Sequence, residues 1–261
     1  MSVLNTQTGN ASGAMTATLP TGEQFIAQDV WFDPLGGVLG IRNPAQGVEE
    51  FIYIGFPLDI KYGDHTLGEG GTSAYLGSDV SGPAHSGVIQ SLVWNREECG
   101  VAGKFDFKGK DEYARDFQVS KGVFDIAYEK PASALQRNTA SAASAVIVPA
   151  LKNNTGFNAN EQGYNGDRER PTFVAVKQSI GLEGGLLALG AVFLLEYDEN
   201  NQPSVKRAFA SVNHGLIMAD DYAITQLAWA PGRALSFAFT LAFHYNAQPF
   251  TFQEGHVDLK L

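Results

Sequence analysis

The chain has 261 residues, 44% of them apolar and 18% charged, with 29 glycines, 17 phenylalanines and one cysteine, Cys99. This composition excludes wholesale disorder, and a lone cysteine excludes an internal disulfide framework. The net charge of −10 repels phosphate backbones and no basic cluster offsets it, which excludes nucleic acid as a partner.

Residues 1–17 are small and polar and read as an N-terminal arm. They lack the basic and apolar regions of a secretory signal. The expectation is a cytoplasmic protein or one exported without a leader. From residue 18 short apolar runs alternate with turn residues: "EQFIAQDVWF", "VLGIRN", "EEFIYIGF", "IKYGDHTL", "SGVIQSLVW", "VAGKFDFKG" and "FQVSKGVFDIAYE". Turn signals every 8–12 residues or so mark a sandwich or barrel. Phe105 and Phe107 share one strand face, as do Phe124, Ile126 and Tyr128, because successive side chains of a strand point to opposite sides. In "FIYIGF" both faces are apolar, which predicts a central strand. One helical turn is expected in "EEFIY" and one over Lys110–Phe117. These runs make a first β domain, 18–130.

Residues 131–170 are rich in Ala, Ser and Asn and read as a linker or long loop, with "ASAVIVPAL" as one strand. A second β domain, 171–261, follows. Its "GGLLALGAVFLLEY" is shorter than the ~18 apolar residues of a membrane helix and reads as a buried strand pair or one long strand. "YDENNQP" and Pro231–Gly232 read as turns between strands. The expected fold class is all-β: two antiparallel β-sandwich or barrel-like domains with little helix.

Residues 18–128 resemble small bacterial β domains of surface lipoproteins. The resemblance rests on "SGVIQ" at Ser86–Gln90, "VAGKFDF" at Val101–Phe107 and "VSKGVFDIAY" at Val119–Tyr128. It implies a β fold and no catalytic residues. The lipoprotein signal with its cysteine does not occur here, so the resemblance does not carry surface anchoring with it.

The five histidines, His65, His85, His214, His244 and His256, show none of the spacings of a zinc site. No G-x-S-x-G elbow and no phosphate-binding glycine loop occurs. The adjacent Asp64 and His65 are the weak catalytic candidates for a hydrolase working through a His–Asp pair. Asp198, Asp220 and Asp221 offer oxygen ligands for calcium, without the pattern of a helical calcium loop; no other cofactor is implied. Trp31, Tyr62, Tyr75 and Tyr164 lie near predicted turns and are the candidate loop-borne binding aromatics. Trp94 and Trp229 also sit near strand ends and read as core caps. "ALSFAFTLAFHY" at Ala234–Tyr245 alternates strictly. Its bulky side must be buried, because exposed it would form a sizeable apolar patch. The small side, Ser236, Ala238, Thr240 and Ala242, leaves room for a close neighbour, either a bulky face within the fold or an interface.

Three functional readings follow. The first is a non-catalytic β-rich interaction protein, a binding or assembly module with a protein or carbohydrate partner, which includes the form of a homo-oligomer. The second is a leaderless pore-forming or membrane-active toxin, suggested by alternating strands and by the Ser, Thr and Asn of "NTASAASAVIVPALKNNTG". The third is the Asp64–His65 hydrolase.

Overall fold

The structure is a computed structural model that describes residues 11–44, 48–111, 113–129, 142–182, 185–213 and 215–261. Among them it is built of strands, with no helix. The chain divides into two compact units. Unit 1 comprises residues 1–32, 37–110 and 116–130, and unit 2 comprises Asp33–Gly36, Asp111–Arg115 and residues 131–261.

Ten strands make one sheet in unit 1. They are β1 (Ala11–Thr18), β2 (Gln24–Ile26), β3 (Asp29–Asp33), β4 (Gly37–Arg42), β5 (Glu50–Gly55), β6 (Gly63–Thr66), β7 (Ser73–Gly77), β8 (Gly82–Asn95), β9 (Gly100–Lys110) and β10 (Asp116–Tyr128). Their order is β2-β1-β10-β9-β8-β7-β5-β4-β3, with β6 alongside β8. The sheet curls until its two ends meet. The Ala27 N–H donates to Met15 O at 2.9 Å, and the Gln28 N–H to Ile41 O at 2.8 Å. Arg42 clasps the seam: its guanidinium donates to Gln24 O at 2.7 Å and pairs with Glu23 and Glu50. One core fills the interior, drawing Met15, Phe25, Phe32, Ile52, Leu76, Phe105 and Phe124 from strands along the whole order. Trp94 Nε1 donates to the Tyr128 hydroxyl at 2.7 Å, and Phe32 stacks on the Tyr128 ring at 3.8 Å.

The abundance of Gly and Phe has a local cause. Phe105 faces Gly122 across the β9–β10 ladder, Phe124 faces Gly103 and Phe117 faces Gly109. A Cβ built on Gly122 would lie 2.4 Å from the Phe105 ring, and one on Gly109 2.2 Å from the Phe117 ring. The same device recurs at Phe51 opposite Gly77 and, in unit 2, at a Phe239–Gly255 pair. Each ring lies flat over the bare backbone of its partner, which covers the glycine and buries the ring at once. Gly122→Val is therefore expected to destabilise by about 1–3 kcal/mol through overpacking. Gly100→Ala, where a Cβ meets nothing within 4 Å, should leave the urea midpoint near wild type.

Unit 2 contains two five-stranded sheets. The front sheet runs β12-β11-β20-β19-β18, with β11 (Ala142–Leu151), β12 (Asn154–Asn158), β18 (Asp221–Ala230), β19 (Ala234–Tyr245) and β20 (Gln248–Lys260). The back sheet runs β13-β14-β15-β16-β17, with β13 (Glu161–Asp167), β14 (Arg170–Leu182), β15 (Gly185–Tyr197), β16 (Pro203–Val212) and β17 (Gly215–Met218). They pack face to face: Phe193 of β15 meets Phe237 and Phe239 of β19 edge-on, at 4.9 and 5.0 Å between ring centroids. Tyr222 donates to Lys206 O at 2.9 Å, tying β18 to β16.

The long apolar run "LLALGAVFLLEY" is β15, a single strand buried on both faces from Leu187 to Leu195. The expected helical turns are absent. "EEFIY" falls in β5, where Phe51–Ile54 are all buried. Lys110–Phe117 contains a side-chain-capped turn instead, whose Asp111 Oδ1 accepts the Tyr113 and Arg115 N–H groups at 3.0 and 2.7 Å. Residues 11–17, expected in the polar arm, belong to β1, because Met15 and Ala17 alternate into the core. Within the expected linker, β11, β12 and β13 are formed. The expected strand "ASAVIVPAL" is β11, with Ala143, Ala145 and Ile147 buried, whereas β12 and β13 were not expected, because each has a single large apolar side chain, Phe157 and Tyr164. Residues 1–10 and 130–141 of the expected arm and linker lie outside the described residues.

Acid and alkali should act at named places. Burial works to raise the Asp111 carboxyl, but the Arg115 N–H and guanidinium and the Tyr113 N–H outweigh it, and the pKa is lowered. A lowered folded pKa gives stability that is present above the unfolded carboxylate range and lost as pH falls through the folded value. Burial pushes up the phenols of Tyr128, against the Trp94 N–H, and of Tyr197, against the nearby Arg170. Their contribution is complete below about pH 10 and is lost as pH rises through the folded values. Thermal melts across pH should show losses on both sides. Tyr128→Phe should flatten part of the alkaline limb.

Candidate functional site

Strand β19 places two unlike surfaces on one element. Leu235, Phe237, Phe239, Leu241 and Phe243 are all buried against the back sheet. Ser236, Ala238 and Ala242 are only partly covered and Thr240 is exposed. The expected packing of this small side against a bulky face of the same fold is not what the structure has. The small side belongs instead to the open outer face of the front sheet.

The register assembles that face. Ala238 lies between Thr225 of β18 and His256 of β20, and His256 pairs in turn with Ser144 of β11. Ala242 lies between Asp221 and Thr251, and Thr251 pairs with Val148. Ser236 lies beside Asp258. Val146 and Val148 are 39% and 43% exposed, among the large apolar side chains most open to solvent. The surface is thus low, with two valines, small residues and the carboxylates of Asp221 and Asp258. The side chains that these rows name include no Phe, Tyr or Trp.

At one end of β19, His244 Nδ1 lies 2.7 Å from Asp220 Oδ2, with both side chains half exposed. The β18–β19 pairing brings these two together, helped by the Asp220 N–H donating to Ala242 O at 2.9 Å. A carboxylate at this distance orients an imidazole ring. Sequence reasoning sought such a pair at Asp64–His65, where the structure does not form one. Asp64 Oδ1 accepts the Ser91 N–H at 2.7 Å, while the His65 ring contacts Lys61 O at 2.8 Å. As neighbours on a strand, their side chains leave opposite faces.

The other candidates divide by burial. Tyr62 is 65% exposed, as expected of a binding aromatic, whereas Trp31, Tyr75 and Tyr164 are 1%, 8% and 4% exposed. The last three cannot present a ring to a ligand, because the strands β3, β7 and β13 that carry them bury it. Tyr113, overlooked in the sequence, is 72% exposed, with the Arg115 guanidinium over its ring. Trp94 is buried in the unit 1 core, and the Trp229 ring lies 5.9 Å from that of Tyr197. Asp198 Oδ1 accepts the N–H groups of Asn200 and Gln202, so it shapes the β15–β16 hairpin. Asp220 pairs with His244, and Asp221 is exposed on β18. Among the described residues no group of three or more His, Cys, Asp or Glu side chains could hold a metal ion. Cys99 is buried, and His214 lies outside the described residues.

Fold and surface together define an all-β protein with an open sheet face. Comparison with protein-family models, curated proteins and solved structures finds no match.

Proposed function

We propose that this protein is a non-catalytic interaction module that assembles with protein, in the first instance with further copies of itself, through the outer face of the front sheet. One observation carries the reading: β19 buries its bulky side and leaves its small side open, in a row with the exposed Val146 and Val148. Small side chains let a second sheet approach to the ~10 Å of face-to-face packing. The lack of Phe, Tyr and Trp in these rows disfavours a sugar platform, which needs broad stacking surfaces. A carbohydrate partner would instead use the exposed Tyr62 or Tyr113 rings, each in its own unit.

The membrane-active reading has less support. The apolar side of β19, which would have to meet lipid, is committed to the sandwich core.

Ala238→Arg tests the proposal. Ala238 is only partly covered, so the long charged side chain can extend to solvent, and stability should change by within about 0.5 kcal/mol. Association measured by light scattering should fall at least tenfold. Association equal to wild type would place the interface elsewhere. Dye release from vesicles by the wild-type chain would favour the membrane-active reading instead.

A further inference from the structure

Unit 2 contains a buried pair with the components of a covalent cross-link. Lys177 Nζ lies 2.8 Å from Asp33 Oδ2, and the two side chains are 5% and 0% exposed. The two residues are 144 apart in sequence. Asp33 is held rigidly: its Oδ1 accepts the Leu35 N–H at 2.8 Å and its carbonyl accepts the Gly36 N–H at 2.9 Å. The neighbours of Lys177 across the sheet are Glu161 of β13 and Gly190 of β15. A Cβ on Gly190 would come within 3.0 Å of Lys177 Cγ, so only glycine leaves the lysine stem its path. Glu161, half-buried, is the cross-strand partner of Lys177 on the same face, with Cβ atoms about 5 Å apart in such pairs.

We propose that Lys177 and Asp33 join through an intramolecular amide bond, formed without a cofactor. Proton transfer within the pair converts ammonium and carboxylate to amine and acid. Neutralisation removes both charges from a site where burying them is costly. The amine nitrogen then attacks Asp33 Cγ. A Cγ–Nζ bond forms and one Cγ–Oδ bond breaks. The departing oxygen leaves as water with two of the three protons of the original ammonium, and the amide keeps the third. Within the tetrahedral intermediate a proton passes from nitrogen to the leaving oxygen. Nothing is oxidised or reduced, so no co-reactant is required. The close, water-poor geometry provides the high effective concentration that intramolecular condensation needs.

The test is mass spectrometry of the full wild-type chain, denatured after purification. The expected mass is lower than that of the sequence by one water, and digestion yields a branched peptide that joins the segments holding Asp33 and Lys177. Lys177→Arg should abolish that branched peptide and restore the full mass of its sequence. Separate linear peptides carrying an unmodified Asp33 and Lys177 would overturn the proposal. So would loss of water without a branched peptide, since that places the dehydration elsewhere. The wild-type readout does not depend on any variant folding, and its outcome is independent of the assembly test.

Discussion

Phe193→Ala is expected to destabilise unit 2 by about 3–5 kcal/mol, the range for removing a large buried ring and leaving a cavity. Phe193 is fully buried on β15 and touches both Phe237 and Phe239 across the sandwich. Its strand lies in the middle of the back sheet, between β14 and β16, so the neighbouring backbone is pinned on both sides and cannot close the void. Phe193→Leu should recover part of the loss, because it keeps most of the volume. Urea unfolding followed by the fluorescence of Trp229 would read this in unit 2. A loss below about 1 kcal/mol would mean that the two sheets do not share the packed core described here.

The second large effect belongs to the ion pair. Asp33→Ala leaves the Lys177 ammonium buried without its carboxylate, and removing one member of such a pair costs about 3–5 kcal/mol. Replacing both, as Asp33→Leu with Lys177→Met, should recover much of that loss, since apolar groups of similar volume often substitute for a buried pair at little cost. Thermal melts of the two variants separate charge from packing. Equal losses in both would assign the effect to shape alone. The amide bond is lost in both variants, which lowers each against wild type and leaves the difference between them to the unpaired charge.

Much of the fold was legible in the sequence because it is written in period two. Phe105, Phe107, Phe124 and Ile126 alternate into the unit 1 core as the pattern requires, and β19 buries its bulky side. The cross-strand partners of the glycines were not legible, since Gly122 opposite Phe105 is a matter of register. Of the strands of residues 142–167, β11 was legible as "ASAVIVPAL", whereas β12 and β13 were not, because each carries one large apolar side chain, Phe157 and Tyr164, among Asn, Gly and other polar residues. The 110–117 segment reads as helix-forming by composition, yet the Asp111 carboxylate offers the backbone N–H groups of Tyr113 and Arg115 a competing partner and holds a turn.

The candidate site was legible only as a question. The sequence showed that β19 has a bare side, but not whether the fold covers it. The rows of Val148, Thr251 and Ala242, and of Ser144, His256 and Ala238, exist only through pairings of distant strands. The His244–Asp220 and Lys177–Asp33 pairs were missed for the same reason: their partners are 24 and 144 residues apart. Loop position also proved a poor guide to exposure. Trp31 and Tyr164 lie near turns, but strand direction turns their rings inward.

We propose the outer face of the front sheet as the place where this protein assembles. Sedimentation velocity over a wide concentration range tests it most directly, with wild type beside Ala238→Arg and Val148→Glu. A concentration-dependent larger species is expected for wild type and a single monomeric boundary for both variants at the same concentrations. A wild type that stays monomeric throughout, or variants that associate as wild type does, would contradict it.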